Sequence, residues 1–140
     1  IISSQTQFGN QIVAPGATAD TTTPISITIP ANGNYRLLLI LDQPYTFDDT
    51  VNVSPQMSIG ADIIEVGSST SVGGTTKTDS IVKVAAANLY RNWGALYKTV
   101  VLSPVSGATY QYKIRCTNGG TSTANTTFLG GQLTAFIFKS

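Results

Sequence analysis

The run Leu133-Thr134-Ala135-Phe136-Ile137-Phe138, near the end of the chain, is largely apolar on both of its faces. Side chains alternate across a strand, so Leu133, Ala135 and Ile137 line one face and Thr134, Phe136 and Phe138 the other. An antiparallel strand covered on one side carries polar residues toward solvent. This one does not, so both of its faces require a cover. Leu37-Leu38-Leu39-Ile40-Leu41 has the same signature. A second sheet covers one face, and either a layer of loops or another copy of the chain covers the other; two such strands in one small chain favour another copy. The residues expected at that contact between copies are Leu38, Ile40, Phe136 and Phe138.

The remaining chain also reads as strands. Ile25, Ile27 and Ile29 alternate with Ser26 and Thr28. Tyr110, Tyr112, Ile114 and Cys116 alternate with Gln111, Lys113, Arg115 and Thr117. β-Branched residues dominate the apolar set, and Gly and Pro recur throughout, which is strand-and-turn composition. Further strands are expected over Gln11–Ala14, Tyr35–Leu41, Val51–Ile59, Asp62–Val66, Ile81–Ala86, Leu96–Leu102 and Thr126–Leu129. The stretch Gly67–Asp79, rich in Ser, Thr and Gly, reads as an exposed loop. Val84–Leu96 reads as a strand end followed by a short turn or helix around Asn88–Trp93. Roughly eight to ten short strands with such punctuation make an all-β, single-domain antiparallel sandwich, barrel or jelly roll over residues 1–140.

Composition narrows the function. Charged residues are 11% of the 140, while Ser and Thr supply about a quarter, so solubility rests on hydroxyls and amides. Such surfaces are common in virion and extracellular proteins, where this chain is expected. A net charge of +1 argues against a dedicated nucleic-acid binder. No apolar run is long enough to span a membrane. The chain begins Ile1-Ile2 without Met, which suggests a processed C-terminal piece of a longer fibre or spike protein. Basic residues gather late in the chain and acidic ones early, but a sandwich interleaves its halves, so this segregation need not survive folding.

Catalysis finds little support. With no His, neither a Ser-His-Asp nor a Cys-His arrangement can form. The single cysteine, Cys116, falls in register with apolar residues and reads as a buried side chain. Glycoside hydrolysis needs two facing carboxylates. Asp48 and Asp49 are adjacent and point apart in an extended chain; Asp42 with Asp62 or Glu65 would have to meet through folding. The Asp48-Asp49-Thr50 corner reads as a solvated turn rather than a calcium site. No catalytic residue, metal or cofactor is therefore assigned. Asn52-Val53-Ser54 and Asn125-Thr126-Thr127 match the glycosylation acceptor pattern.

Aromatics carry more information. Sugars stack their apolar side on an exposed aromatic ring while Asp, Asn or Arg takes the hydroxyls. Tyr90-Arg91-Asn92-Trp93 gathers these types on one segment expected to lie outside the strands, and Tyr45, Asp48 and Asp49 offer a second set. A lone Trp is usually well buried, so Trp93 is first expected as a core or interface plug.

From Tyr97 to Phe138 the order of features resembles a known superfamily. Val100-Val101-Leu102-Ser103-Pro104 ends one strand, Gly107 marks a turn, and Tyr110-Gln111-Tyr112-Lys113-Ile114-Arg115 alternates. A Gly/Ser/Thr/Asn loop then leads to the final apolar strand, and Gly33-Asn34-Tyr35-Arg36-Leu37-Leu38-Leu39 is similar to the superfamily's early strand. These features resemble the tumour-necrosis-factor-like and complement-head-like jelly rolls, including those that end phage tail fibres. Phe128-Leu129-Gly130-Gly131 stands where complement heads carry an aromatic-Ser-Gly signature. The resemblance implies a jelly roll of about ten strands, a homotrimer, and non-catalytic binding of a cell-surface glycan or receptor. It leaves open a purely structural trimerisation, capping or capsid-decoration domain, and a free bacterial lectin. Leu102-Ser103-Pro104 with Tyr110 is also similar to a fibronectin-type sandwich entered through a tyrosine corner, but that domain has only about seven strands.

Overall fold

The computed structural model describes residues 1–49, 56–81 and 89–140. Eleven strands are found among them: β1 (Ile2–Gln7), β2 (Gln11–Val13), β3 (Ala17–Asp20), β4 (Ile25–Thr28), β5 (Tyr35–Asp49), β6 (Gln56–Glu65), β7 (Thr70–Ser80), β8 (Tyr90–Leu102), β9 (Thr109–Asn118), β10 (Thr126–Phe128) and β11 (Gln132–Lys139). They form two antiparallel sheets packed as a jelly-roll sandwich. In the first sheet β5 is the spine. β8 runs along one side of it, while β11 and β10 lie end to end along the other, flanked by β1 and β2 respectively. In the second sheet β9 plays the same part, with β3 and β4 end to end on one side and β6, then β7, on the other.

The two doubly apolar runs are direct neighbours, with Leu37 opposite Ile137 and Leu39 opposite Ala135. Their inward residues, Leu37, Leu39, Leu41, Leu133, Ala135 and Ile137, are buried against Ile25, Ile27, Ile59, Ile63, Tyr112, Ile114 and Cys116 of the second sheet. Their outward residues, Leu38, Ile40, Phe136 and Phe138, are only half-buried. One face thus finds its cover within the chain, as the alternation requires, and the other does not.

β5 extends well beyond the expected Tyr35–Leu41, to Asp49. Pro44 lies inside it, at the point where the neighbour changes from β11 to β10. A proline offers no N–H to a ladder, and the gap is filled by the buried Gln43, whose Nε2 donates to the carbonyls of Pro44 (2.9 Å) and Leu129 (3.3 Å). Asp48 and Asp49 are therefore strand residues, not a turn.

Two further expectations are corrected. The stretch read as a loop, Gly67–Asp79, is mostly strand β7, paired with β6 along its length. Its polar residues suit an edge strand, and its glycines fit close approaches. A Cβ on Gly73 would sit 2.5 Å from Val100 Cγ2, and one on Gly74 would overlap the Asp62 carboxylate. Only the tip, with Ser69 at φ 56°, turns. The second correction is Tyr90–Trp93, which is not a turn or helix but the start of β8, with Tyr90 opposite Asp49 and Trp93 opposite Thr46. β1 and β3 were not expected at all. The expected strands Val51–Ile59 and Ile81–Ala86, the start of the Val84–Leu96 segment and the Asn52 acceptor lie wholly or partly outside the described residues.

The tyrosine corner is present locally: Tyr110 Oη accepts the Val105 N–H at 3.0 Å. It sits in a jelly roll rather than a seven-stranded sandwich. Cys116 is fully buried, and burial pushes its thiol up to about 12. Asp42 faces outward on the first sheet, whereas Asp62 lies on the second and Glu65 pairs within it, so the carboxylate pairs considered for hydrolysis do not form.

Candidate functional site

The pleat of β8 divides the Tyr90–Trp93 segment between two environments. Tyr90 and Asn92 turn toward the seam where β8 meets β7. The Tyr90 hydroxyl donates to Asp79 Oδ2 at 2.6 Å, and Asn92 Nδ2 donates to the same oxygen at 3.2 Å. Asn92 Oδ1 accepts the Tyr45 hydroxyl at 2.7 Å, and Phe47 packs edge-on to Tyr90 with ring centroids 6.1 Å apart. Burial, and donation to the Asp79 carboxylate, push the Tyr90 phenol up. Lys77 Nζ lies 5.9 Å from the Tyr45 ring centroid. These groups clasp the two edge strands together. Tyr45, Tyr90 and Asn92 are thereby committed to the framework. Asp49 joins them, 1% exposed and accepting the Ser122 hydroxyl at 2.9 Å, which ties the loop before β10 to β5.

Arg91 and Trp93 point the other way, onto the outer face of the first sheet. Trp93 is 64% exposed, against the expectation of a buried plug. The guanidinium of Arg91 lies 5.3 Å from the indole centroid, a cation–π contact, while its Nε donates to Asp48 Oδ1 at 3.0 Å. Thr46 is opposite Trp93 on β5, Thr127 is next on β10, and Ile12, exposed on β2, completes the row. On the far side of Asp48 lies an open depression of about 330 Å³ lined by Asp48, Asp49, Thr123, Ala124 and Asn125. Asn125, the second glycosylation acceptor, is exposed there. An indole, an ion pair, hydroxyls and an amide thus share one end of one face. Thr46, Thr127 and Ile12 were not singled out in the sequence, because their proximity depends on strand pairing across the whole chain.

Further along the same face the chemistry changes. In successive cross-strand rows, Gln132, Asp42 and Tyr97 lie together, then Thr134, Ile40 and Thr99, then Phe136, Leu38 and Val101. Tyr97 is 66% and Val101 56% exposed. Four residues of β5 separate Asp42 from Thr46, about 13 Å along an extended strand. The outer face therefore has an apolar zone and, beyond Asp42, the Trp93 zone.

Among the described residues no group of three Asp, Glu, Cys or His side chains is placed to hold a metal, and no helix is long and apolar enough to cross a membrane. No protein-family model matches the chain, and no curated protein matches it. Solved structures of similar backbone include the tumour-necrosis-factor homologue Eiger of S. frugiperda, at 12% identity and TM-score 0.47, covering 99% of this chain and 94% of that one. A structure of infectious bursal disease virus, Gx strain, is similar at 14% identity and TM-score 0.45; 99% of this chain spans 32% of that one. A carbohydrate-binding module, TmCBM61 in complex with β-1,4-galactotriose, is similar at 9% identity and TM-score 0.31, over 99% and 88% of the two chains.

Proposed function

We propose that the chain is a non-catalytic binding head that assembles as a homotrimer, and that the end of its first sheet around Trp93 takes a cell-surface glycan. The observation that carries this reading is the exposed indole of Trp93 beside the Arg91–Asp48 pair. Exposing a large aromatic to water has no folding benefit, and a ring flanked by hydrogen-bonding groups is the arrangement that pyranoses use. Arg91 covers one side of the indole and holds it in place, so the ring is ordered before a ligand arrives. The apolar zone of Leu38, Ile40, Val101 and Phe136, across Asp42 from Trp93, supports self-association. Three copies would multiply a weak single-site affinity through avidity. In this reading the domain belongs to a virion fibre or spike, or to another extracellular assembly, and serves host attachment.

Glycan-array binding by the wild type, lost on Trp93→Ala while the trimer persists in sedimentation, is the expected result. An array and whole-cell assay with no binding by the wild type would overturn the glycan assignment. A structural reading, in which the domain only trimerises or caps a fibre or decorates a capsid, is favoured by the apolar outer zone of Leu38, Ile40, Val101 and Phe136. It requires assembly but no ligand, so the same two assays separate the readings.

A further inference from the structure

We infer that the Trp93 site continues into a second subsite, the depression beyond Asp48, so that its ligand is a glycan of at least two sugar units. This rests on the glycan reading above and deepens it by setting the minimum length of the ligand.

The surroundings of Trp93 are polar in one direction along the strands and not in the other. Toward Asp42, the next cross-strand row is Pro44 with Ala95, which offers no hydrogen-bonding side chain. Away from Asp42, the next row is Asp48 with Arg91, and the depression lined by Asp48, Asp49, Thr123, Ala124 and Asn125 follows. Two strand residues separate Asp48 from the Trp93 row, about 7 Å, so adjacent units of one glycan can occupy both places. The depression holds about 330 Å³. That is the small end of ligand pockets, which run from roughly 300 to 1,000 Å³, and it suits one sugar unit rather than a chain.

The polar groups at this corner are also unspent. Asp48 accepts only Arg91 Nε, at 3.0 Å through Oδ1, and its Oδ2 makes no hydrogen bond. The Nη groups of Arg91 make none either, and neither does the exposed amide of Asn125. The ion pair on the second sheet is built differently: Asp20 uses both oxygens on Arg115 and takes Lys113 as well. A sugar hydroxyl can donate to Asp48 Oδ2 and accept from Asn125 Nδ2, since a carboxylate only accepts and an amide does both. Arg91 and Asp48 are already fixed by their mutual bond and by the indole, 5.3 Å from the guanidinium, so a ligand orders little on arrival.

The test uses the full chain made in bacteria, so that the Asn125 acceptor stays unmodified. Its binding is measured on an array of monosaccharides and of the disaccharides built from them. The wild type should bind a disaccharide more tightly than either component monosaccharide, by roughly 2- to 10-fold for each added hydrogen bond. Asn125→Ala removes an exposed amide that makes no internal bond, and circular dichroism checks its fold. This variant should shrink the disaccharide advantage by roughly 2- to 10-fold. Monosaccharides bound as tightly as disaccharides by the wild type, or an Asn125→Ala variant that keeps the wild-type ratio, would overturn the second subsite while leaving a glycan ligand standing. A wild type that binds no glycan of either length would overturn both.

Discussion

The outer faces of the two sheets are both built from antiparallel strands, yet only one of them carries a large apolar zone. Along β3, β4 and β9 the second sheet presents Thr18, Asp20, Ser26, Thr28, Gln111, Lys113, Arg115 and Thr117, every one polar. Asp20 there receives Arg115 through two bonds, at 2.7 and 3.0 Å, and Lys113 at 2.8 Å. The first sheet presents Leu38, Ile40, Tyr97, Val101, Phe136 and Phe138. The second face satisfies its own charges and needs no neighbour. The first leaves apolar surface without a cover. A solvent face is thus recognised by self-sufficiency rather than by exposure alone.

That contrast can be broken most severely at neighbouring residues of β5. Leu39 is fully buried, so Leu39→Ala should lower the unfolding free energy by about 2–5 kcal/mol in chemical denaturation. Leu38→Ala, one residue earlier and on the outer side, should cost less than about 1 kcal/mol in the isolated monomer. Equal losses would mean the outer face is as packed as the inner one.

A second comparison concerns assembly. Phe136→Glu places a charge in the apolar outer zone and should convert the proposed trimer to monomer in light scattering. Thr117→Glu, at the equivalent depth on the other sheet, should leave the assembly unchanged. Reversed results would assign the self-associating face to the wrong sheet.

The smallest effect is set by pH. The Arg115 hydrogen bonds, together with Lys113, hold the Asp20 carboxyl at about 2, below its ordinary value of 3.8. The folded protein therefore binds the Asp20 proton less readily than the unfolded chain. The resulting stability is fully present above about pH 4 and is lost as pH falls toward 2. Because the pair is partly exposed, Asp20→Asn should cost about 1 kcal/mol at pH 7 and almost nothing at pH 2. A difference between wild type and Asp20→Asn that stays constant with pH would place the effect elsewhere.

Much of this architecture is legible in the residues. Ile25–Ile29 and Tyr110–Cys116 alternate because one side of each strand meets the core, and both are strands in that register. β7 and the start of β8 were not legible, because neither carries a period-two apolar pattern and glycines interrupt β7. They are strands because Met57–Ile64 and Thr46–Asp49 offer them a paired backbone. The candidate site was half-legible for the same reason. Strand pairing brings Arg91 and Trp93 beside Asp48, which the sequence kept as separate sets, and alternation sends Tyr90 and Asn92 to the opposite side.

By itself, then, the sequence determined that this is an all-β chain with two doubly apolar strands, since period-two patterning depends only on the order of residues. Tertiary structure decided that these strands lie side by side, which of their faces stays uncovered, and that Trp93 stands in solvent. It also decided that Asp20 meets bases some 95 residues away. Each of these depends on which backbone pairs with which, and that choice belongs to the packed sandwich as a whole.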